Sequence, residues 1–170
     1  MKFAGFLAFY GFAHSALSSP LDSVGSWDVE GFAKDNPIGP TTGGKGGPKV
    51  YVNNVDDLTA ALVDDEPRIV YVTGSFNLTS RLNIGSNKSF IGVGTKASFN
   101  NSGITVNSKT NVILRNLKIS YVYDNDCVTI QNSTRVWVDH NEFASDISHG
   151  PDLFVSGYAK RDLKQVYSFY

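Results

Sequence analysis

Three stretches of the chain repeat one pattern: Arg81-Leu-Asn-Ile-Gly-Ser-Asn-Lys-Ser-Phe90, Gly103-Ile-Thr-Val-Asn-Ser-Lys-Thr-Asn-Val112 and Cys127-Val-Thr-Ile-Gln-Asn-Ser-Thr-Arg-Val136. Each begins with a short alternation of apolar and polar residues, passes through a turn rich in Asn and Ser, and enters a second apolar strand. The stretches lie 22 and then 24 residues apart. A strand–turn–strand unit that returns at such a period indicates a solenoid, in which each coil buries its apolar side against the next.

The rest of the chain after residue 69 also favours strands. Further strands are predicted at Ile69–Val72, Phe90–Val93, Val112–Ile119 and Val136–Asp139, each bounded by turn residues. The one good helix is Val55–Val63, with apolar positions on a single face and Asp56 as its expected N-cap. A leucine-rich repeat would show helical periodicity between its strands, and a β-sandwich would show hairpin turns every 8–12 residues or so. We therefore predict an all-β fold, a right-handed parallel β-helix with one short N-terminal helix.

The composition suits such a fold and excludes several classes of function. The chain has 170 residues, 18% of them charged, with a net charge of -1 and 16 glycines. A near-neutral chain offers no basic stripe for nucleic acid, so no nucleic-acid partner is expected. A single cysteine excludes a disulfide scaffold and a cysteine-rich zinc site.

The first residues are typical of a secretory signal peptide. Met1-Lys2 is a short positive region, and the apolar run Phe3–Ala13 is too short to span a bilayer. Small residues follow, so we predict a signal peptide over 1–18 and a secreted, extracellular protein without a membrane segment. The alternative is a short buried helix. Four N-x-S/T sequons agree with secretion and glycosylation; they begin at Asn77, Asn87, Asn100 and Asn132.

The glycine-rich run Thr41-Thr-Gly-Gly-Lys-Gly-Gly47 superficially resembles a phosphate-binding loop. Lys45 is followed by glycine instead of Ser or Thr, and no clear strand precedes the run. We interpret it as a tight reversal of the chain that uses the conformational freedom of glycine.

The densest acidic cluster is Asp124-Asn125-Asp126. In an extended segment, residues i and i+2 point the same way, so the Asp124 and Asp126 carboxylates would lie side by side. Such a pair of oxygen ligands favours a hard cation such as Ca²⁺. The alternative is a solvated acidic turn, and spacing alone leaves both open. The glycine and distal glutamate of an EF-hand are missing.

A second candidate cluster contains Asp139 and His140. Val136 and Val138 alternate with Trp137 and Asp139, so one of these two sets faces the core. Asp139 and His140 could form an acid–base pair, but such neighbours more often make a structural hydrogen bond.

These motifs resemble the fungal secreted pectate lyases of polysaccharide lyase family 1. The matching stretches are Gly31-Phe-Ala33, Thr41-Thr-Gly-Gly44, Asn83-Ile-Gly-Ser-Asn-Lys88, Ile91-Gly-Val-Gly94, Asn111-Val-Ile-Leu-Arg-Asn-Leu117, Asp124-Asn-Asp126 and Val136-Trp-Val-Asp-His-Asn141. The family fold is a right-handed parallel β-helix, which agrees with the repeat. The resemblance implies cleavage of de-esterified polygalacturonate by β-elimination, as in pectin catabolism and plant cell-wall degradation.

The resemblance also implies a cofactor and roles for particular residues. Ca²⁺ would offset the charge of the uronate carboxylate, so that an arginine base can remove the proton alpha to it. Asp124 and Asp126 match the first two carboxylate ligands of the family's Ca²⁺ site. Asp139, next to His140 in the Trp-x-Asp-His element, is interpreted as a structural anchor. We assign no catalytic residue, because the arginine base is expected beyond the end of the chain.

The resemblance runs from about Gly31 to Phe154, so residues 19–154 are predicted to form the N-terminal part of the β-helix, and the tail over 155–170 has no match. One interpretation of the tail is a translated intron, since Val155-Ser156 can be encoded by a common fungal intron start; the alternative is a gene fragment. On either interpretation we expect a truncated, monomeric solenoid with negligible turnover. The competing hypothesis for function is a non-catalytic β-solenoid that binds acidic polysaccharide.

Overall fold

The computed structural model describes residues 28–95, 97–123 and 126–144, together with the backbone of 153–156. The predicted signal peptide, Asp124, and residues 157–170 of the predicted tail lie outside these ranges. Along the chain, the helices are α1 (Gly31–Lys34) and α2 (Val55–Val63). The strands are β1 (Lys49–Val52), β2 (Arg68–Val72), β3 (Ser75–Asn77), β4 (Leu82–Asn83), β5 (Lys88–Gly92), β6 (Ala97–Asn100), β7 (Ile104–Asn107), β8 (Thr110–Arg115), β9 (Leu117–Ser120), β10 (Val128–Gln131), β11 (Thr134–Asp139), β12 (Glu142–Ala144) and β13 (Leu153–Ser156).

The strands form three parallel sheets that wind into a β-solenoid of about four turns. Their strand orders are β1-β2-β5-β8-β11, β4-β7-β10-β13 and β3-β6-β9-β12. In each sheet, a strand pairs with the strand one coil earlier and one coil later in the chain. The predicted all-β parallel solenoid is therefore confirmed. Strand β13 includes residues on both sides of the boundary between 154 and 155, where the tail without a match was predicted to begin.

Pairing confirms the predicted repeat in the first strand and, in the second strand, the match of Val112 with Val136; it corrects one other match. Leu82 pairs with Ile104 and Ile104 with Val128, as the 22- and 24-residue spacings predict. In the second strand, the predicted match of Phe90 with Val112 is wrong, because Lys88 is the partner of Val112. Strand β5 begins two residues earlier than the apolar pattern indicated, since its first residue is a lysine. The predicted single strand Val112–Ile119 is also wrong, because the chain turns at Asn116, which has a positive φ, and forms the two strands β8 and β9.

Apolar side chains from all three sheets fill the interior of the solenoid. Phe76 and Phe99 are paired in register and stack with ring centroids 5.1 Å apart, which makes an aromatic ladder in the core. Val136 and Val138 belong to this core, whereas Trp137 is buried on the outer face together with Ala33 of α1. The predicted alternation along this strand is thus confirmed.

Helix α2 packs against β2 and β4 and buries Leu58 and Leu62 completely. Its range is as predicted, but the predicted cap is wrong. The N-cap is Asn54, whose side-chain oxygen accepts a 2.9 Å hydrogen bond from the Asp57 backbone N–H. Asp56 lies in the first turn instead, where its negative charge interacts favourably with the positive end of the helix dipole.

The glycine-rich run lies against the outer face of the first sheet. The Asn111 side-chain oxygen accepts hydrogen bonds from the backbone N–H groups of Thr42 (2.7 Å) and Gly43 (2.9 Å). A Cβ at Gly43 would collide with the Ser89 hydroxyl, and the backbone there has a φ of +55°. Glycine is required because the loop approaches the sheet so closely.

Asparagine corners repeat with the coils. Asn87 and Asn111 both have positive φ and are joined by a 3.0 Å hydrogen bond between their side-chain amides, the ladder expected of a solenoid. Within the part of the chain that the structure describes, no helix is long and apolar enough to cross a membrane.

Candidate metal centre at the start of strand β10

Asp126 lies two residues before β10, at the point where the chain enters the third coil of its sheet. It is only partly exposed, and the next two residues, Cys127 and Val128, are buried. Val128 is fixed in register beside Ile104. The position of Asp126 is therefore set by a strand that is anchored in the core, which is a firmer support than a free loop gives.

The Asp126 backbone is held from two coils below by Arg81, the residue just before β4. Its Nη1 donates a 2.9 Å hydrogen bond to the carbonyl oxygen of Asp126. The guanidinium also donates to the Thr105 hydroxyl through Nε at 2.8 Å, and to the Ile104 carbonyl and the Thr129 hydroxyl through Nη2 at 2.6 and 2.9 Å. We call these four hydrogen bonds the Arg81 clamp, and they join three successive coils.

A glycine keeps the path of the clamp open. A Cβ at Gly103 would lie 2.8 Å from the Arg81 Nη1 and 2.7 Å from the Asp126 carbonyl oxygen. The latter is backbone and cannot move aside as the end of a flexible side chain could. Gly103 therefore permits the close approach of Arg81 to the peptide of Asp126.

Two charged groups lie close together in this region, the Arg81 guanidinium and the Asp126 carboxylate. Burial lowers the pKa of Arg81, and the nearby Asp126 carboxylate opposes that shift. The hydrogen bonds of the guanidinium go to carbonyl and hydroxyl oxygens. Within the described ranges, no donor is recorded within hydrogen-bond distance of the Asp126 carboxylate, so its oxygens remain available to a ligand.

Carboxylate oxygens are among the ligands that Ca²⁺ prefers, so the side chain of Asp126 is chemically suited to bind that ion. Over residues 28–95, 97–123 and 126–144, no three His, Cys, Asp or Glu side chains converge into a metal cluster. The predicted partner, Asp124, lies outside the described residues. The predicted Asp124/Asp126 pair stays a prediction for this reason.

Asp139 and His140 lie on a different sheet from Asp126, and the structure does not bring the two clusters together. An Asp139 carboxylate oxygen forms an ion pair with Arg115 and lies 2.7 Å from the His140 Nδ1. The Arg115 guanidinium carbon also lies 5.5 Å from the centroid of the Trp137 ring. Burial lowers the pKa of Arg115, while Glu30 opposes the shift. This arrangement has the form of a half-buried ionic anchor on the outer face.

Sequence reasoning missed Arg81 as a residue that matters to the site. The repeat places Gly103 and Cys127 at the same position as Arg81 in the next two coils. A large cation at a position where the other coils carry small residues was the available signal. Its partners could not be deduced, because the hydrogen bond to Asp126 joins residues 45 apart in the chain.

Comparison with known proteins identifies the family. A family model described as pectate lyase matches residues 13–153. The chain belongs to the pectate lyase family. Pectate lyase plyB of Emericella nidulans is 40% identical over 124 residues, which are 72% of this chain and 37% of that protein. The pectate trisaccharide-lyase of Bacillus licheniformis is 35% identical over 168 residues, which are 91% of this chain and 49% of that protein.

A solved pectate lyase has a similar structure. The crystal structure of pectate lyase Bsp165PelA from Bacillus sp. N165, in complex with trigalacturonate, has 30% sequence identity and a TM-score of 0.63. The similarity covers 69% of this chain and 43% of that one. The chain thus spans about half, or less, of the length of these relatives.

Proposed function

We propose that this chain functions as part of a pectate lyase, which cleaves de-esterified polygalacturonate by Ca²⁺-dependent β-elimination. The observation that carries the proposal is Asp126, whose backbone carbonyl is held just before β10 by the Arg81 clamp while its carboxylate oxygens are left for a ligand. Membership of the pectate lyase family and the trigalacturonate bound to a structural relative support the substrate class.

In this proposal, Asp124 and Asp126 hold the cation and Arg81 fixes the backbone on which Asp126 is carried. Bound Ca²⁺ would supply positive charge for the uronate carboxylate of the substrate, which makes the adjacent C–H proton more acidic. Two carboxylates without a cation would repel both each other and the polyanionic substrate. The chain's own contribution is therefore to place two negative oxygens where a bridging cation is needed.

Secretion fits the same function, because polygalacturonate is an extracellular polymer of the plant cell wall. We propose that residues 1–18 form the signal peptide and that the chain acts outside the cell as a monomer. The apolar run at residues 3–13 supports this assignment.

A second candidate function is non-catalytic binding of acidic polysaccharide by the same carboxylates. It is kept because the described residues include a candidate cation ligand but none to which we assign the role of base. One experiment measures cleavage and binding side by side.

The experiment mixes the purified chain with polygalacturonate and CaCl₂, and follows the absorbance of the 4,5-unsaturated product together with binding to the polymer. Ca²⁺-dependent product formation that a chelator abolishes would support the lyase and would overturn the expectation of negligible turnover. Ca²⁺-dependent binding without product would support the cation site and the binding function, and it agrees with that expectation. Absence of both would contradict both proposals.

A further inference from the structure

We infer that Arg81 is a positioning residue for the candidate Ca²⁺ site, which it serves by immobilising the peptide of Asp126. The inference rests on the proposed function, because it takes Asp126 as a ligand of the cation. The role is indirect, since the recorded hydrogen bond goes to the Asp126 carbonyl and leaves the carboxylate oxygens for the metal.

The geometry of the clamp suits this role better than a merely local contact would. Four hydrogen bonds of 2.6–2.9 Å fix the planar guanidinium against two threonine hydroxyls and two backbone carbonyls. Thr105 and Thr129 are paired in register on adjacent strands, so they present their hydroxyls in a row to the same guanidinium. A lysine ammonium is a single point and cannot reproduce this fork.

Arg81 acts on the site in two opposing ways. Its positive charge repels an incoming cation, whereas its hydrogen bonds hold a ligand in place for that cation. The Asp126 carboxylate is partly exposed, so water screens the charge effect. The clamp itself is half-buried, where hydrogen bonds keep more of their strength. We therefore expect the positioning effect to dominate, and the sign of the change in affinity reports which effect wins.

The test compares the Ca²⁺ affinity of the wild-type chain with that of Arg81→Lys and Arg81→Gln. CaCl₂ is titrated at constant ionic strength into ¹⁵N-labelled protein, and the backbone amide signals of Asp126 and Cys127 give the dissociation constant. Both variants are expected to bind Ca²⁺ about tenfold more weakly, the usual loss when a residue that supports a metal ligand is removed. The lysine variant keeps the charge and loses the fork, so it isolates the effect of the hydrogen bonds.

Arg68→Gln is the matched control. Arg68 is likewise a half-buried arginine that joins a backbone carbonyl, that of Ala61 at 2.7 Å, to another side chain, that of Asp64. Its contacts lie beside α2 and do not involve Asp126. This variant is expected to lower the melting temperature but to leave the Ca²⁺ dissociation constant unchanged.

Should the Arg81 variants fail to fold, Thr129→Val removes one acceptor of the clamp while keeping a β-branched residue in the strand. It is expected to weaken Ca²⁺ binding in the same direction by a smaller factor, and an unchanged dissociation constant would overturn the inference. If the wild-type amides do not respond to Ca²⁺, the proposed site fails and the inference fails with it. If the wild type binds while Arg81→Lys and Arg81→Gln bind equally well or more tightly, the inference alone is wrong. The same holds if Arg68→Gln weakens binding as much as they do.

Discussion

The ammonium group of Lys88 lies 2.8 Å from a carboxylate oxygen of Asp64, and the lysine side chain is completely buried. The same nitrogen donates to the backbone carbonyl of Asp64 at 2.7 Å and to the backbone carbonyl of Glu66. Lys88 occupies the position that Val112 takes in the next coil. A cation thus stands in β5 where the next coil has an apolar residue. Through this cation, β5 is attached to the end of α2 and to the turn that follows α2.

Replacement of Lys88 by methionine should destabilise the protein. Methionine has a similar length and shape, but it would remove the donor that the buried ammonium group supplies to the carbonyls of Asp64 and Glu66. We expect a loss of about 3 kcal/mol in the free energy of unfolding, measured by denaturant titration. Lys109→Met is the control, because Lys109 pairs with the exposed Asp65 and should cost less than about 1 kcal/mol. Equal losses in the two variants would contradict this account of Lys88.

Stability should fall in acid because of Asp64. Hydrogen bonds from Arg68, and then from Lys88, hold the pKa of this carboxyl well below its usual value of 3.8. Since the pKa is lower in the folded state than in the unfolded one, the stabilisation is present above about pH 4 and is lost as the pH falls towards the folded value. Asp64→Asn should be less stable at pH 6 and should lose less stability between pH 5 and pH 2. Parallel pH profiles for wild type and variant would refute the assignment.

Asp139→Asn tests whether the Trp-x-Asp-His element is an anchor. The substitution removes the charge that pairs with Arg115 while keeping the shape of the side chain. We expect a loss of about 2 kcal/mol in unfolding free energy and no change in Ca²⁺ affinity, since this cluster lies on another sheet. A weakened affinity for Ca²⁺ at unchanged stability would show that Asp139 belongs to the site after all.

The sequence predicted those parts of the fold in which local pattern and tertiary position agree. Alternation in residues 104–106 and 128–130 located two core strands, and their spacing gave the correct pairing. The pattern failed at β5, because Lys88 is polar in sequence yet buried in the structure. The pattern also did not predict β3 and β6. These strands are short, and the one large apolar residue in each, a phenylalanine that pairs with the other in the core, is too little to show an alternation. Burial of a charged residue depends on partners supplied by other coils, and no local pattern contains them.

The candidate site shows the same division. The spacing of Asp124 and Asp126 was sufficient to propose a cation site, because i and i+2 residues of an extended segment share a face. The contacts that hold the Asp126 backbone could not be predicted from the sequence, because Arg81 and Gly103 become neighbours of Asp126 only when three coils are stacked. Asn54, and not Asp56, caps α2 because its side chain reaches the Asp57 N–H, a choice between adjacent polar residues that propensity alone does not decide.

The sequons should differ in their use if the chain is secreted. Asn132 and Asn77 are exposed and should carry glycans. At Asn87, the side-chain nitrogen donates to the Asp65 carbonyl and the side-chain oxygen accepts from Asn111, while the next two residues are buried. A glycan on Asn87 would break these contacts, so the folded secreted protein should lack one there. Glycopeptide mass spectrometry, with Asn132→Gln and Asn77→Gln for comparison, measures this, and a glycan mapped to Asn87 would contradict it.

The most direct test of the central claim is calorimetric titration of CaCl₂ into the wild-type chain and into Asp126→Asn. The amide keeps the size of the side chain and removes the negative charge on which the proposed site depends. Asp56→Asn serves as the control, because Asp56 is an exposed carboxylate on α2. We predict that the wild type and Asp56→Asn bind Ca²⁺ with the same dissociation constant, and that Asp126→Asn binds at least about tenfold more weakly. An unchanged dissociation constant in Asp126→Asn would contradict the assignment of Asp126 as a Ca²⁺ ligand.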